Sequence, residues 1–449
     1  MNSEAIDRYH ELLSDLPAQD TEAALNSELL VRRCYFGTRP LCTVLRPHFY
    51  EPQEYAFLKQ QTELVLSAFM KAHHACMKDP NLRAQLDLES YEEVLFSLDI
   101  GYEHPWTTSR LDSFYHAQTG LLQFVEYNAE TPAGMAYEDQ LAEAFLSLDV
   151  MKRFQKQYVV RRFSMVQGLL ESLQAIYREY GGTNAMQIGI IDWADVPTLN
   201  EHELCKMYFE ARGVPTLLAD PRALEYRNGA LWAGDFRIDL IYKRVLCSEL
   251  IQRMGLDNPI VRAVRDRAVC MSNAFSAKLM AKKASFALIS DERNAYLFTP
   301  AERAAIEAHI PWTRRVQDRK TLLHGKEIEL LPYIAEHREH LVLKPNDEYG
   351  GKGVVIGWET SQEQWIETLR GTLTTPFVVQ ERVEAAYEDF PAMINGKLNI
   401  SQRLVDADPF IFFGQTTNGC LTRLSSSALL NVTAGGGSVV PTFLVHKRK

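Results

Sequence analysis

The stretch that decides the expected fold reads Lys344-Pro345-Asn346-Asp347-Glu348-Tyr349-Gly350-Gly351-Lys352-Gly353. It follows an apolar run that begins at Leu341, and another apolar run begins at Val354. Three glycines within four residues let backbone amides come close to a phosphate. The loop joins two predicted strands, whereas a Walker A loop ends in GK[ST] and opens a helix. The pattern predicts a phosphate-binding hairpin, and an ordinary glycine-rich hairpin is the alternative.

Two lysines and a later strand extend this prediction. Lys344 at the strand end and Lys352 in the loop are placed to offset the charge of ATP phosphates. Further on, the apolar run from Phe377 ends at Gln380 and Glu381. We expect a strand whose end presents backbone groups to an adenine edge. A core strand with a polar end is the alternative.

A second polar group lies far earlier, in two predicted strands. Arg110 and Asp112 share one face of the first strand, and Glu126 and Asn128 share one face of the second, because alternate residues point the same way. A turn at 116–120 would pair these strands and bring the four side chains together. Carboxylate and amide oxygens suit Mg²⁺, and an arginine fork can hold a phosphoryl or carboxylate oxygen. An exposed, salt-bridged sheet face is the alternative.

The composition excludes two classes of partner. The chain has 449 residues, enough for about three domains at roughly 150 residues each. A net charge of -10 with mixed signs argues against a nucleic-acid binder, which needs a basic surface. No run approaches the ~20 apolar residues that span a membrane. The seven cysteines form no CxxC pair, which indicates reduced thiols in a cytoplasmic protein.

Hydrophobic patterns divide the chain into five predicted parts and indicate a mixed α+β and α/β fold class. Residues 1–93 are expected to be mainly helical, and residues 94–184 contain the predicted metal-binding strands. Residues 185–258 alternate strands and helices as an α/β unit. Residues 259–384 carry the glycine-rich loop, and residues 385–449 are expected to be mainly β.

Several expectations concern single segments. The run Val94 to Gly101 reads as a strand, and the stretch 259–283 reads as helical. In the α/β unit, Asp192 and Asp195 follow the first strand, where ligands often bind in open sheets. These acids either attract a cationic amine or are solvated loop residues. Lys243-Arg244 forms either a carboxylate clamp or a polar strand end.

Taken in this order, the motifs resemble the circularly permuted ATP-grasp family, including the synthetase domain of glutathionylspermidine synthase. In most ATP-grasp enzymes the acidic-x-Asn pair follows the glycine loop, whereas here Glu126-Tyr127-Asn128 precedes Lys344 by more than two hundred residues. The resemblance covers roughly residues 94–449. It implies a circularly permuted ATP-grasp fold with an inserted α/β domain (similar to a pre-ATP-grasp domain) and a helical N-terminal region.

The resemblance also implies roles for single residues. Asp112, Glu126 and Asn128 would hold two Mg²⁺ ions. Arg110 and Arg423 would stabilise the transferring phosphoryl group. The residues that match the family's ATP-binding segments are Lys283, Lys344, Tyr349, Gly350, Gly351, Lys352, Gly353, Gln380, Glu381 and Asn431.

The function that this resemblance implies is an ATP-dependent carboxylate-amine ligase. Such an enzyme forms an acyl phosphate, passes the acyl group to an amine, and releases ADP and phosphate. Its partners would be a small-molecule carboxylate and a small-molecule amine. Two alternatives are a small-molecule phosphotransferase on the same fold and a nucleotide-binding protein without catalysis. The acid, the amine and the oligomeric state are left open.

Overall fold

The computed structural model describes residues 3–425 and 437–448, and its N-terminal part is mainly helical. The longest helix begins at Pro52 with a capping box between Glu51 and Glu54, which satisfies backbone amides of the first turn. The elements of this part are α1 (Ser3–Ser14), α2 (Ala18–Val31), β1 (Tyr35–Phe36), β2 (Arg39–Pro40), β3 (His48–Tyr50), α3 (Pro52–Lys78), α4 (Pro80–Arg83) and α5 (Ser90–Phe96).

The strand predicted from Val94 is wrong, because these residues end helix α5. A short apolar run does not distinguish a strand from a buried helix. Here a capping box between Glu89 and Glu92 starts the helix. The buried Glu92 carboxylate then pairs with two lysines of a later helix, Lys278 and Lys282, which fixes the helical turn in place.

The predicted hairpin that carries Arg110 and Asn128 is confirmed. Its two strands pair antiparallel, with Asp112 opposite Glu126, Arg110 opposite Asn128 and a bulge directly after Asp112. Opposed residues of such a pair point to the same face, so the four side chains share one side of the hairpin. The elements of this part are β4 (Thr108–His116), β5 (Leu121–Asn128), α6 (Met135–Ser147), α7 (Asp149–Phe154), β6 (Tyr158–Arg161) and α8 (Met165–Glu179).

The α/β unit is built on a parallel four-stranded sheet, as its strand-helix alternation predicts. The sheet order is β13-β12-β7-β8, and a small antiparallel sheet of β9, β10 and β11 turns at Asn228-Gly229. The elements are β7 (Ile188–Ile191), α9 (Leu199–Glu210), β8 (Thr216–Ala219), β9 (Leu224–Arg227), β10 (Ala230–Ala233), β11 (Phe236–Ile238), β12 (Leu240–Lys243), α10 (Cys247–Met254), α11 (Pro259–Arg265) and β13 (Cys270–Ser272).

The expectation of a helical stretch over 259–283 is only partly right. Strand β13 interrupts it, because this segment pairs with β12 and forms an edge of the parallel sheet. Its residues are fully buried, and a fully buried strand lacks the alternation that would distinguish it from a helix.

The glycine-rich loop belongs to a small lobe with its own core. The lobe contains an antiparallel sheet in the order β14-β19-β17-β18. Three helices that precede it pack in the main core of the protein: α12 (Lys278–Ala281), α13 (Ala284–Ser290) and α14 (Pro300–His309). The elements of the lobe are β14 (Thr313–Arg315), β15 (Lys320–Leu323), β16 (Lys326–Glu329), α15 (Leu330–Glu336), β17 (Leu341–Pro345), β18 (Val355–Ile356), α16 (Gln362–Gly371) and β19 (Phe377–Glu381). The separate core consists of Trp312, Leu330, Ile334, Leu341, Leu343, Trp365, Leu369 and Val379.

The C-terminal strands explain how a distant hairpin reaches the same fold. A sheet in the order β20-β21-β23-β22-β4-β5, with β24 added beside β23, places the early hairpin next to β22. Strand β25 pairs with both β3 and β6, so the two ends of the chain lie in one sheet. The elements are β20 (Ala386–Ile394), β21 (Lys397–Val405), β22 (Asp408–Phe412), β23 (Thr416–Ser425), β24 (Gly437–Val440) and β25 (Thr442–Lys447).

Two global expectations have structural counterparts. All seven cysteines are buried with free thiols, which agrees with the expectation of reduced, structural cysteines. Within residues 3–425 and 437–448, no helix is both long enough and apolar enough to cross a membrane. The five domain boundaries given above stay a prediction.

Candidate active site

The glycine-rich loop joins β17 to β18 and adopts a backbone that only glycine accepts easily. Gly350, Gly351 and Gly353 have φ angles of 64°, 75° and 72°, all in the left-handed region. Tyr349, which directly precedes these glycines in the loop after β17, is 61% exposed. The predicted turn is therefore present, and its tip is exposed to solvent.

The stem of the loop is anchored to the body of the protein by two side chains. Asn346 accepts a hydrogen bond from the Ala284 amide at 2.9 Å and donates one to the Leu86 carbonyl at 2.8 Å. Asp347 pairs with the Nζ of Lys278 at 2.8 Å and of Lys282 at 3.3 Å. The sequence offered one signal for this anchor, the two lysines four residues apart, of which Lys278 begins the short helix α12 and Lys282 directly follows it.

Two lysines lie against the hairpin. The Nζ of Lys283 lies 3.2 Å from the Glu126 carboxylate. The Nζ of Lys344 donates to the Val125 carbonyl at 3.1 Å and to the Gln380 side-chain oxygen at 2.6 Å. Both predicted phosphate lysines therefore flank the strand that carries Glu126, although they come from different segments.

Burial changes the acidity of one of these lysines. It lowers the pKa of Lys344 to about 8; the nearby positive charge of Lys283 acts in the same direction, and the carboxylate of Glu126 opposes it. A nearby anion stabilises the charged form of such a lysine and raises its pKa again. This is the electrostatic environment expected of a phosphate-binding lysine.

The segment at Gln380 differs from the prediction. Strand β19 is an inner strand of its sheet, so the backbone of Gln380 pairs with Val342 on one side and with Thr313 on the other. It is not available to an adenine edge. The Gln380 side chain instead orients Lys344, and Glu381 at the strand end pairs with His324 at 2.8 Å.

The hairpin face holds a dense set of charge-assisted hydrogen bonds around Asp112. Arg110 donates to both of its oxygens, at 2.8 and 3.1 Å. The Asn128 amide nitrogen donates at 2.9 Å, and an Arg423 nitrogen at 2.7 Å. Burial alone would raise the pKa of Asp112, but the two guanidinium charges outweigh it and hold that pKa below its usual value.

Arg423 also binds two acids that the sequence did not single out. Its Nε lies 2.6 Å from Asp406, and its Nη2 lies 2.9 Å from Asp408. Burial raises the pKa of both Asp406 and Asp408, and repulsion from the neighbouring carboxylates, including that of Asp112, raises it further. Asp406 and Asp408 lie at the connection from β21 to β22, and two acids at i, i+2 spacing between two apolar runs were the available signal.

The residues present fit Mg²⁺ in part. The side-chain nitrogen of Asn128 faces Asp112, so the side-chain oxygen of Asn128 points away from that carboxylate. The half-buried Glu126 lies two residues before Asn128 on the same strand. Such a pair provides the hard oxygens that Mg²⁺ takes together with water and phosphate. Both Asp112 oxygens already accept hydrogen bonds from guanidinium groups. No group of three His, Cys, Asp or Glu side chains with metal-binding geometry occurs among the described residues.

Other predicted residues lie apart from this cluster. Lys352 pairs with Glu348 at 3.0 Å and is largely exposed, and Asn431 lies outside the described residues. Lys243 and Arg244 are buried, where Lys243 pairs with Glu130 at 3.3 Å and Arg244 donates to a backbone carbonyl. This pair therefore supports the connection after Asn128 and is not open to solvent.

The α/β unit is joined to the hairpin by one side chain that sequence reasoning missed. Asn273 accepts from the backbone amides of Thr107 and Thr108, at 2.7 and 3.1 Å. It donates to the carbonyls of Thr108, Ala129 and Glu130, at 2.7 to 3.1 Å. The two ends of the hairpin are thereby fixed directly beside Arg110 and Asn128.

Comparisons with known proteins agree with this architecture. Residues 113–425 match the profile of the family described as circularly permuted ATP-grasp type 2. The protein "Putative glutamate--cysteine ligase 2-2" of Frankia casuarinae is 26% identical over 234 residues, which cover 49% of this chain and 25% of that protein. "Putative glutamate--cysteine ligase 2-3" of Frankia alni is 25% identical over 351 residues, 74% of this chain and 38% of that protein. The chain thus spans less than half the length of these two relatives.

A solved structure has the same overall fold. The apo form of a glutathione synthetase-like effector from Globodera pallida superposes with a TM-score of 0.59, covering 96% of this chain and 98% of that chain. The sequences are 11% identical. The similarity therefore concerns the fold alone.

Proposed function

Because the chain belongs to the circularly permuted ATP-grasp type 2 family, we propose that it is an ATP-dependent ligase that joins a carboxylate to an amine. The relatives that carry a glutamate-cysteine ligase name support an amide-forming reaction. They match over a minor share of their own length, so they support the class of reaction and do not identify the pair of substrates.

One observation carries the proposal: four cations converge on one carboxylate-rich face. Lys344 comes from the small lobe, Lys283 comes from the segment between α12 and α13, Arg110 comes from the hairpin, and Arg423 comes from the C-terminal sheet. In the structure the carboxylates of Glu126, Asp112 and Asp406 pair with three of these cations, and desolvated charges of this kind are stable only when they are paired. A bound anion can therefore exchange with these carboxylates. A triphosphate that passes a phosphoryl group to a carboxylate is an anion of suitable size and charge.

We assign the ATP phosphates to Lys283, Lys344 and the backbone amides of the loop 350–353. Two Mg²⁺ ions would be held by Glu126, Asn128 and Asp112, with the guanidinium groups that now cover Asp112 shifting to phosphate oxygens. The metal would supply charge neutralisation and orientation of the phosphates. Tyr349 and Lys352 lie on the exposed part of the loop, where they would cover bound ATP.

The proposed reaction has two steps. A substrate carboxylate oxygen bonds to the γ-phosphorus, and the bond from that phosphorus to the bridging oxygen breaks, which releases ADP. The amine nitrogen then bonds to the acyl carbon, the acyl carbon-oxygen bond breaks, and phosphate leaves as the nitrogen loses a proton. Arg110 and Arg423 hold the charge that develops on the phosphoryl and acyl oxygens. Closure of the glycine loop excludes water, which would otherwise hydrolyse the acyl phosphate.

The test combines ADP release with trapping of the intermediate. We expect ADP release with particular carboxylate-amine pairs, and a hydroxamate when hydroxylamine replaces the amine. Glu126→Ala should lower the rate on the order of 10²-fold or more, because it removes a group that acts on the transferring phosphoryl. Glu367→Ala, the same change at an exposed position on α16, is the matched control.

Two results would contradict this proposal. A stable phosphoester in place of a hydroxamate would identify a phosphotransferase. Full activity of Glu126→Ala would remove the hairpin face from the reaction.

A further inference from the structure

A cavity of about 170 Å³ lies outside the cluster of Arg110, Lys283 and Lys344. It opens between β3, the hairpin turn at 116–119 and the start of β20. Its floor is buried, and its mouth is formed by exposed residues of the turn and by Tyr387. It is therefore accessible from solvent and has a fixed polar floor.

His48 on this floor is a buried imidazole whose ring nitrogens make no hydrogen bond within the described ranges. The residue has 6% relative exposure, and Nδ1 lies 3.5 Å from the Glu388 carboxylate. Buried polar groups are normally satisfied by protein, water or ligand, and a neutral imidazole offers one donor and one acceptor. Its position in the cavity wall points to a ligand.

The neighbouring Glu388 is kept ionised from behind the wall. Arg46, which is fully buried and does not line the cavity, binds the Glu388 carboxylate at 2.5 Å and stacks over Phe390 at 4.0 Å. Burial alone would raise the pKa of Glu388, but the guanidinium charge of Arg46 and the contact with the neighbouring His48 outweigh it and hold that pKa well below its usual value. The cavity thus faces a carboxylate while the balancing guanidinium is on the far side.

The remaining lining favours a cation over an anion. Three carboxylates line the cavity, from Glu54, Glu388 and Asp406, and no lysine or arginine of the described chain does so. Aromatic rings, including Tyr50 and Tyr115, form other parts of the wall, and aromatic faces attract ammonium groups. No described cluster has the geometry of a metal site. The volume is close to that of a cavity that takes benzene, so an organic ammonium with a few carbon atoms fits.

The cavity is linked to the candidate active site through one arginine. Asp406 lines the cavity and binds Arg423 Nε at 2.6 Å, and Arg423 Nη2 lies 2.7 Å from Asp112. We propose that this cavity binds the amine substrate in its ammonium form, held by His48 and Glu388. This assignment rests on the proposed ligase function and adds a location for one of its two substrates.

The binding test uses three small probes of similar size on the full chain without ATP. n-Propylammonium is cationic, n-propanol is neutral and propionate is anionic. By calorimetry or ligand-observed NMR we expect n-propylammonium to bind in the millimolar range, and the other two at least tenfold more weakly. Equal or tighter binding of propionate, or no binding of n-propylammonium, would overturn the assignment.

A charge placed at the mouth tests the location without changing the buried floor. Thr119→Lys, on the exposed hairpin turn, should weaken n-propylammonium binding at least tenfold by repulsion. Thr374→Lys, the same change on an exposed turn after α16, should leave it unchanged. Equal affinities of the two variants would refute this cavity as the site.

The catalytic readout separates the two proposals. Thr119→Lys should raise the KM for the amine. The KM for ATP and the rate of hydroxamate formation should both stay unchanged, because neither quantity depends on the cavity. Hydroxamate formation together with absent ammonium binding would refute the cavity and leave the ligase. Ammonium binding without ADP release for any substrate pair would refute the ligase, and with it the role of the cavity as a substrate site.

Discussion

Replacement of Arg423 by methionine is the sharpest test of how the charged face is built. Arg423 contacts three buried carboxylates, those of Asp112, Asp406 and Asp408, at 2.6 to 2.9 Å. Arg423→Met keeps most of the aliphatic length and removes the charge. Among the described residues, Arg110 would then be the one guanidinium left in contact with this group of acids.

The expected cost follows from the uncompensated charge. Removing one partner of a buried ion pair costs about 3–5 kcal/mol, and we expect the free energy of unfolding at pH 7.5 to fall by that amount. The variant should then bind an extra proton, most readily on Asp408, whose pKa is already raised well above its usual value by burial. A carboxyl with a raised folded-state pKa adds stability as the pH falls, because the folded state binds a proton that the unfolded state releases. One such proton over two pH units contributes up to about 2.7 kcal/mol.

The measurement is urea unfolding of the wild type and the variant at pH 7.5 and 5.5. The stability difference between them should narrow at pH 5.5 by up to about 2.7 kcal/mol. Arg303→Met, at an exposed position of α14, is the matched control and should change stability by less than about 0.5 kcal/mol at either pH. A loss for Arg423→Met no larger than that of the control, or a difference that does not narrow in acid, would refute this account of the cluster.

Two further predictions concern the lysine and the amide that position the site. Burial lowers the pKa of Lys344 to about 8, so the protein should take up a proton when ATP binds above about pH 8. Calorimetry in buffers of different ionisation enthalpy measures the number of protons taken up. Lys344→Arg should abolish this uptake. A buffer-independent enthalpy for the wild type would contradict it. Asn273→Leu leaves five buried backbone hydrogen bonds unmade and should cost more than about 3 kcal/mol of unfolding free energy, with faster amide exchange at Thr107 and Thr108. Unchanged exchange at these amides would show that the hairpin does not depend on Asn273.

The parts of the site that could be predicted are those set by local chain geometry. The alternation of side chains in a strand and one short turn were enough to predict that Asp112 lies opposite Glu126. The three glycines of the loop predicted a tight turn for the same reason, since the left-handed backbone found there is a property of single residues. Such inferences need no knowledge of distant neighbours.

The parts that could not be predicted depend on which strands lie side by side. The strand predicted to end at Gln380 and Glu381 is present, but the backbone of Gln380 is paired on both sides because β19 lies inside its sheet. Val94 looked like a strand, and the helix there is fixed by the capping of Glu89 and by the pairing of Glu92 with lysines about 190 residues later. Hydrophobic patterns carry no information about such partners.

The same dependence on neighbours explains why the order of the motifs along the chain can be reversed. Strand β4 pairs with β22, and β22 pairs with β23, so Arg110 and Arg423 are two strands apart in space although they are far apart in sequence. Arg423 then reaches Asp112 across the sheet. A charged face built in this way requires the hairpin to lie next to β22. It does not require the hairpin to come before or after β22 in the sequence. The pairs that hold Arg423 to Asp112 and Asp406 are therefore the contacts on which a permuted arrangement of this site depends, and Arg423→Met tests them directly.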